Sequence, residues 1–139
     1  MVKVARERNI LNSEFVELYN KLNPAGEQIE KAYYKTDVNG YRFVVLCDDG
    51  DDTWDCPDMT PEQIQFLDDS LAEAADRGLP MFVICHVPVE GVNGRSIIYP
   101  DGGLDDNSEA VQTILEKYEN VFFISGHVHT GINGPLVEK

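Results

Sequence analysis

The three histidines of this 139-residue chain all stand at or just beyond the ends of apolar runs. His86 closes the run MFVICH, and His127 and His129 follow the run NVFFISG, one residue apart. Neutral imidazole is the commonest metal-binding side chain in proteins. If the two apolar runs are neighbouring parallel strands, their carboxyl ends meet at one edge of the sheet and the rings converge. The spacing therefore predicts a metal site formed by His86, His127 and His129.

The backbone around this motif allows two interpretations. An extended chain would point His127 and His129 the same way, and Gly126 is where we expect the backbone to turn. Alternatively, each ring is a half-buried histidine that is satisfied by hydrogen bonds and binds no metal. The residues alone leave both interpretations open.

Apolar periodicity predicts three helices. The first covers Glu14 to Leu22, with Asn12 or Ser13 as its cap. The second starts at Thr60-Pro61, with Gln63 at the capping-box position, and stops at Gly78. The third follows a long Gly-rich polar stretch. The expected buried faces are Phe15, Leu18, Tyr19 and Leu22 on the first helix, Ile64, Leu67, Leu71, Ala74 and Ala75 on the second, and Ala110, Val111, Ile114, Leu115 and Tyr118 on the third.

Four strands are predicted between and around these helices. Asn39-Gly40 marks a type I′ hairpin turn, followed by a strand over residues 43–47 that we expect to be buried on both faces. The runs MFVICH and NVFFISG are the next two buried strands. Strands that alternate with helices favour an α/β fold with consecutive strands parallel. We predict one domain over residues 1–139, with a mixed sheet and flanking helices.

The composition limits the partners and the compartment. The net charge of −14 disfavours binding to nucleic acids and to anionic membranes, and no apolar run reaches transmembrane length. The cysteines at 47, 56 and 85 are odd in number and lack C-x-x-C spacing. These features and the lack of a signal peptide favour a cytoplasmic protein, although an exported protein with its signal removed would have the same sequence.

Four segments in order resemble the calcineurin-like metallophosphoesterase family between about Ala32 and Gly134. They are AYYKTDVNGYRFVVLC, TPEQIQFLDDSLAEAADRGLP, MFVICHVP and NVFFISGHVHTGIN. The resemblance implies a four-layer αββα sandwich that hydrolyses phosphoesters, either small molecules or phosphoproteins. It also implies that His86 and His127 ligate one ion of a two-metal centre and that His129 ligates the other. The family's usual ions are manganese, iron or zinc.

Other motifs of that family are missing from these 139 residues. D-x-H, G-D-x-x-D and G-N-H, which supply the remaining ligands and the bridging carboxylate, do not occur. GDDTWD at Gly50 comes nearest, but its Asp55 is one place too late. We therefore expect the C-terminal portion of a phosphoesterase domain, which alone holds at most one ion weakly and hydrolyses little. A half sandwich also exposes an apolar sheet face, which predicts a homodimer.

Two further interpretations stay open. In the first, the chain is a non-catalytic module for dimerisation or regulation, and its histidines are relics or hold a single metal. In the second, it is a plain α/β domain whose histidines are core residues. Arg95 is a candidate phosphate clamp and Asn133 a candidate substrate contact. A solvated surface arginine and a turn residue before Gly134 are the alternatives for these two positions.

Overall fold

A computed structural model of the chain describes residues 2–49, 58–90, 103–104 and 107–127, with side chains from Asn12 onwards. The elements are α1 (Val2–Leu22), β1 (Tyr34–Val38), β2 (Tyr41–Val45), α2 (Pro61–Ala75), β3 (Met81–Ile84), α3 (Asn107–Leu115) and β4 (Val121–Ile124). The predicted α/β class with a mixed sheet and flanking helices is confirmed. Within the described residues, no helix is long and apolar enough to cross a membrane.

The sheet has the strand order β1-β2-β3-β4. β1 and β2 form an antiparallel hairpin, whereas β2, β3 and β4 run parallel. The hairpin turn has positive φ at both central residues, 53° at Asn39 and 89° at Gly40, as the type I′ prediction requires. The register pairs Val45 with Ile84 and Ile84 with Ile124, so three strands end together at one edge.

One face of this sheet packs against α2 and α3 to form the core. Residues of the sheet and of both helices share a single buried cluster, for example Val44, Val83, Leu67 and Val111, which are fully buried. The prediction for α2 is confirmed at Leu67, Leu71 and Ala74, whereas Ile64 is part-buried and Ala75 is exposed. The predicted buried face of α3 is confirmed at Val111 and Ile114. The other three predicted residues are only part-buried, namely Ala110, Leu115 and Tyr118.

The start of α2 is tied to the end of β2. Thr60 is the N-cap, as predicted, and its hydroxyl accepts from Gln63 N at 3.3 Å. The reciprocal half of a capping box is absent here, because the Gln63 amide instead bridges the backbone N and O of Cys47, both at 2.9 Å. Asp49 accepts from Thr60 N, and its own N–H donates to Asp58 O at 3.1 Å. These bonds close the base of the segment 50–57, and we call them the loop clasp.

A buried arginine joins the hairpin to α2. Arg42 donates from Nε and Nη2 to the two carboxylate oxygens of Asp37, at 2.6 and 3.1 Å. Its Nη1 donates to Ser70 O at 3.0 Å and to Glu73 at 3.2 Å. The hydrogen bond from Arg42, above all, holds the pKa of Asp37 below its usual value. Lys35 pairs with Glu73 and lowers the pKa of that carboxyl as well.

The first helix begins earlier than the sequence predicts. It starts at Val2 rather than Glu14, so Asn12 and Ser13 lie inside the helix and cannot cap it. Asn12 has a different role, because its amide donates to Asp48 O at 2.9 Å and ties α1 to the residues that follow β2.

The predicted buried face of α1 is mostly exposed. Phe15, Leu18 and Leu22 are exposed, and Tyr19 is part-buried. The helix meets the sheet through aromatic contacts at the edge strand, where Phe15 and Tyr19 lie 6.4 and 5.1 Å from the Tyr34 ring. A helix that covers only an edge strand leaves the rest of its apolar side in water.

The prediction that the strand over residues 43–47 is buried on both faces is wrong, and the strand NVFFISG, predicted to be buried, is also partly exposed. β2 begins and ends two residues earlier than expected, and it alternates between buried residues and the part-buried Phe43 and Val45. On β4, Phe122 and Ile124 are exposed. The physical reason is that α2 and α3 lie on the same side of the sheet, so the opposite face receives much less cover.

Candidate metal site at the ends of β3 and β4

Backbone hydrogen bonds carry the β3–β4 ladder past the formal strand ends. Cys85 N donates to Ile124 O at 3.1 Å, and Gly126 N donates to His86 O at 3.0 Å. His86 and Gly126 therefore lie side by side. Since side chains alternate along an extended chain and Cys85 is buried in the core, the His86 ring lies on the opposite, exposed face.

His127 has a left-handed backbone with φ of 64°. This conformation costs a non-glycine residue about 1–2 kcal/mol. We expected the turn at Gly126 and an extended chain through His127, but Gly126 is not among the positive-φ residues, and the turn occurs at the histidine. A Cβ built on Gly126 would lie 3.7 Å from His86 Nδ1, which is an ordinary contact. The glycine is therefore not required by the packing around His86.

This turn brings the His127 ring against His86. The distance between His127 Nδ1 and His86 Nε2 is 3.3 Å, the ring centroids are 5.2 Å apart, and the rings are nearly perpendicular at 88°. Two nitrogens that bind one tetrahedral zinc ion lie about 3.3–3.4 Å apart, because each Zn–N bond is about 2.0–2.1 Å. An N–H···N hydrogen bond also fits this distance. The distance between the two nitrogens is therefore compatible with a hydrogen bond between the rings and with a shared metal ion.

The pair lies at the carboxyl edge of the sheet, where α/β proteins bind ligands. His86 is exposed and His127 is part-buried, so an ion can enter from solvent. Within the described parts of the chain, no three His, Cys, Asp or Glu side chains are grouped to hold a metal. The other predicted site residues, His129, Arg95 and Asn133, lie outside the described residues, and their roles stay predictions.

Sequence reasoning missed Cys47 as a neighbour of this edge. Leu46 N donates to Ile84 O at 2.9 Å, so the β2–β3 pairing continues to Leu46, and Cys47 follows it at the same edge of the sheet. Burial raises the pKa of the Cys47 thiol to about 12, and the nearby Asp49 and Asp48 charges act in the same direction. Cys47 is therefore a neutral thiol at pH 7 and not a ready thiolate ligand or nucleophile. The predicted parallel alignment of the strand ends is the signal that could have placed Cys47 at this edge.

Comparison of the chain with models of protein families, with curated proteins and with solved structures gives no match. A functional assignment therefore depends on the motifs in this chain and on where the fold places them.

Proposed function

We propose that this chain contributes metal ligands to a calcineurin-like metallophosphoesterase centre that hydrolyses phosphoesters. One observation carries the proposal: His86 and His127, at the ends of adjacent parallel strands, hold two ring nitrogens 3.3 Å apart. In the proposed αββα sandwich, the observed sheet with α2 and α3 supplies one sheet and one helical layer.

The two described histidines are proposed to bind the same divalent ion, manganese, iron or zinc. His129 is proposed to bind a second ion. When bound, such ions polarise a phosphoryl oxygen and lower the pKa of a coordinated water. The protein's own contribution is positional, since the Gly126–His86 backbone bond and the left-handed turn at His127 fix the two rings before any ion arrives. Arg95 and Asn133 are proposed to contact the phosphoester, which is a small molecule or a phosphoprotein.

Charge supports the same class of ligand. A chain with a net charge of −14 repels phosphate in general, so a phosphoester approaches only where a local cation reverses the potential. An ion held by His86 and His127 would be such a cation. Since D-x-H, G-D-x-x-D and G-N-H are absent from these residues, we propose that the isolated chain binds at most one ion weakly and turns over little substrate.

Zinc titration against a chromophoric chelator tests the ligand pair. We expect His86→Ala and His127→Ala each to weaken binding at least tenfold, since even groups that only orient a metal ligand contribute about 10–100-fold. Gly126→Ala is the matched control, because its added methyl meets His86 at an ordinary distance and leaves both rings in place. Equal affinity in wild type and in both histidine variants would exclude the site.

His129→Ala tests whether His129 binds a different ion from the one proposed for His86 and His127. If His129 serves a different ion, this variant retains the affinity that His86 and His127 provide. A loss as large as that of His127→Ala would instead place all three rings on one ion and favour the second candidate, a non-catalytic module with a single metal.

Phosphoesterase activity needs its own measurement. With manganese or zinc present, we expect the isolated chain to hydrolyse an aryl phosphate monoester or diester no faster than metal alone. Turnover above that background, lost in His127→Ala, would show that the chain is active by itself. Genomic sequence also distinguishes the candidates, since in-frame G-D-x-x-D and G-N-H motifs just upstream support an enzyme and a stop codon there supports the module.

A further inference from the structure

The hairpin turn between β1 and β2 contains two residues that can react with each other. Asn39 and Gly40 form the two-residue connection, and both are exposed. An asparagine that precedes glycine can lose its side-chain amide without an enzyme, because glycine has no side chain to obstruct attack by its backbone nitrogen. The turn therefore presents to solvent a dipeptide whose covalent structure can change with time.

The conformation of the turn explains why this dipeptide occupies it. The value of φ is 53° at Asn39 and 89° at Gly40. Type I′ turns require positive φ at both central residues, which asparagine and glycine adopt more readily than almost any other pair. The residues that suit this turn best are thus the two that react most readily with each other.

The reaction is an intramolecular substitution followed by hydrolysis. Gly40 N attacks Asn39 Cγ and forms a C–N bond, the bond between Cγ and Nδ2 breaks, and the proton from Gly40 N leaves with Nδ2 as ammonia. Water then opens the resulting succinimide at one of its two carbonyl carbons. Cleavage at Cγ gives aspartate, and cleavage at the backbone carbonyl gives isoaspartate, whose main chain runs through Cγ. Asparagine and one water thus give one acid and one ammonia, without an oxidant or a reductant.

The folded turn opposes ring closure. The asparagine of a type I′ turn is left-handed in both φ and ψ, so the chain must rotate about ψ of Asn39 before Gly40 N can reach Cγ. Arg77, just beyond α2, restrains this rotation because its Nη1 donates to Gly40 O at 3.2 Å. The same guanidinium pairs with Asp37 of β1 at 3.0 Å. Ring closure therefore requires these contacts to open first.

We propose that Asn39 is a site of spontaneous modification in the folded protein, that it converts to aspartate and isoaspartate through a succinimide with Gly40, and that Arg77 slows the conversion by restraining the turn. The reactants are this dipeptide and water. The turn precedes β2, whereas His86 and His127 lie at the edge where β2 ends. The proposal is therefore independent of the proposed metal site.

The isoaspartate product changes the hairpin itself. It adds one carbon to the main chain inside a two-residue turn, and the register of a hairpin depends on the length of its turn. The pairs nearest the turn are Val38 with Tyr41 and Asp37 with Arg42. A displaced Asp37 no longer meets both Nε and Nη2 of the buried Arg42. Modification at the exposed tip should therefore weaken the hydrogen bonds that hold Arg42 and lower the urea midpoint of the modified fraction.

Peptide mass spectrometry after incubation at pH 8 tests the proposal. Exchange of an amide for an acid changes the peptide mass, and chromatography separates isoaspartate from aspartate. We expect Asn39 to convert at least about tenfold more slowly in the native chain than in urea, because ring closure in the folded state needs a local opening that breaks hydrogen bonds. Asn93 and Asn133 also precede glycine and provide reference rates for each sample in urea.

Arg77→Met isolates the proposed restraint. We expect native Asn39 to convert about three- to tenfold faster in this variant, since an exposed bond to a charged group contributes less than a buried one. In urea its rate should equal that of wild type. Lys117→Met is the matched control, because it removes an exposed cation whose partner is Asp68 rather than the turn, and both rates should stay unchanged. Gly40→Ala, compared in urea, should slow the conversion because its methyl group hinders ring closure.

Each part of the proposal can fail separately. If native Asn39 stays intact while the urea sample converts fully, the folded protein is not modified here. If the native and urea rates are equal, the turn gives no restraint. An unchanged native rate in folded Arg77→Met, or in Arg77→Gln should that variant not fold, would remove Arg77 from the mechanism. Equal rates for Gly40→Ala and wild type in urea would exclude the succinimide.

Discussion

Asp37→Asn and Arg42→Met break the same ion pair, and we expect the two substitutions to lower the free energy of unfolding by different amounts. The two partners differ in burial, since the Arg42 side chain is 6 % exposed and the Asp37 side chain 38 %. Without Asp37, the buried guanidinium keeps its charge and loses its two-point partner, and Glu73, 3.2 Å from Nη1, is the carboxylate that remains. Without the arginine, Asp37 is hydrated and keeps Arg77, whose Nη1 lies 3.0 Å away.

The magnitudes follow from that asymmetry. A hydrogen bond to a charged group contributes about 1.5–3 kcal/mol, and Asp37→Asn replaces two charge-assisted acceptors of Arg42 by one neutral oxygen. We expect this substitution to lower the free energy of unfolding by about 2–3 kcal/mol. Arg42→Met keeps the aliphatic contacts, removes one donor from Ser70 O and leaves the carboxylates of Asp37 and Glu73 in contact with water, where exposed pairs contribute about 0–1 kcal/mol. We therefore expect a loss of about 1 kcal/mol.

Urea unfolding followed by circular dichroism measures this difference. With a slope of about 1–3 kcal/mol per molar urea, the two midpoints should differ by about 1 M. Lys117→Met is the control, because it removes the same charge from the exposed Lys117–Asp68 pair and should cost under about 1 kcal/mol. If Arg42→Met costs as much as Asp37→Asn, the burial argument is wrong.

The pH dependence provides a second check on the same pair. Arg42 holds the pKa of Asp37 below its usual value of about 3.9, so the stabilisation is complete above that value and is lost as pH falls through the lowered pKa. The gap in unfolding free energy between wild type and Arg42→Met should therefore narrow between about pH 5 and pH 2. If the difference in unfolding free energy stays constant over this pH range, Arg42 does not stabilise the charged form of Asp37.

Two other features give independent predictions. Because His127 has φ of 64°, His127→Gly should be more stable than His127→Ala by about 1 kcal/mol in urea unfolding, and equal midpoints would mean that the left-handed turn carries no strain. Because burial raises the pKa of Cys47 to about 12, alkylation of this thiol at pH 8, followed by peptide mass spectrometry, should be at least about 100-fold slower in the native chain than in urea; a difference below tenfold would argue against a buried thiol.

Much of the architecture is readable from local chemistry. Asn39-Gly40 identifies the hairpin because both residues adopt positive φ readily, and Thr60-Pro61 identifies the start of α2 by cap chemistry. The alternation of strands and helices implies that β2, β3 and β4 run parallel, and that arrangement brings the ends of β3 and β4, with His86 and His127, to the same edge of the sheet. These features depend on neighbouring residues or on chain order, both of which a sequence contains.

The features that the sequence did not predict depend on tertiary packing or lack a local sequence signal. An all-apolar run such as VFFI has the same pattern whether one face or both are covered, so the exposure of Phe122 was not predictable. The early start of α1 lies in a stretch of alternating charged and apolar residues without a cap signal. A left-handed histidine has no local signature, and a glycine beside it is the more obvious place for a turn.

The loop clasp has a consequence for how this region tolerates change. Asp49 N donates to Asp58 O at 3.1 Å, and the Gln63 amide of α2 binds the Cys47 backbone. The residues on both sides of the segment 50–57 are therefore held in fixed positions. The entropy cost of closing a loop grows by only about 0.6 kcal/mol for each doubling of its length. A change in the number of residues between Asp49 and Asp58 should therefore leave β2, α2 and the histidine edge in register, because the flanking residues are held by hydrogen bonds of their own.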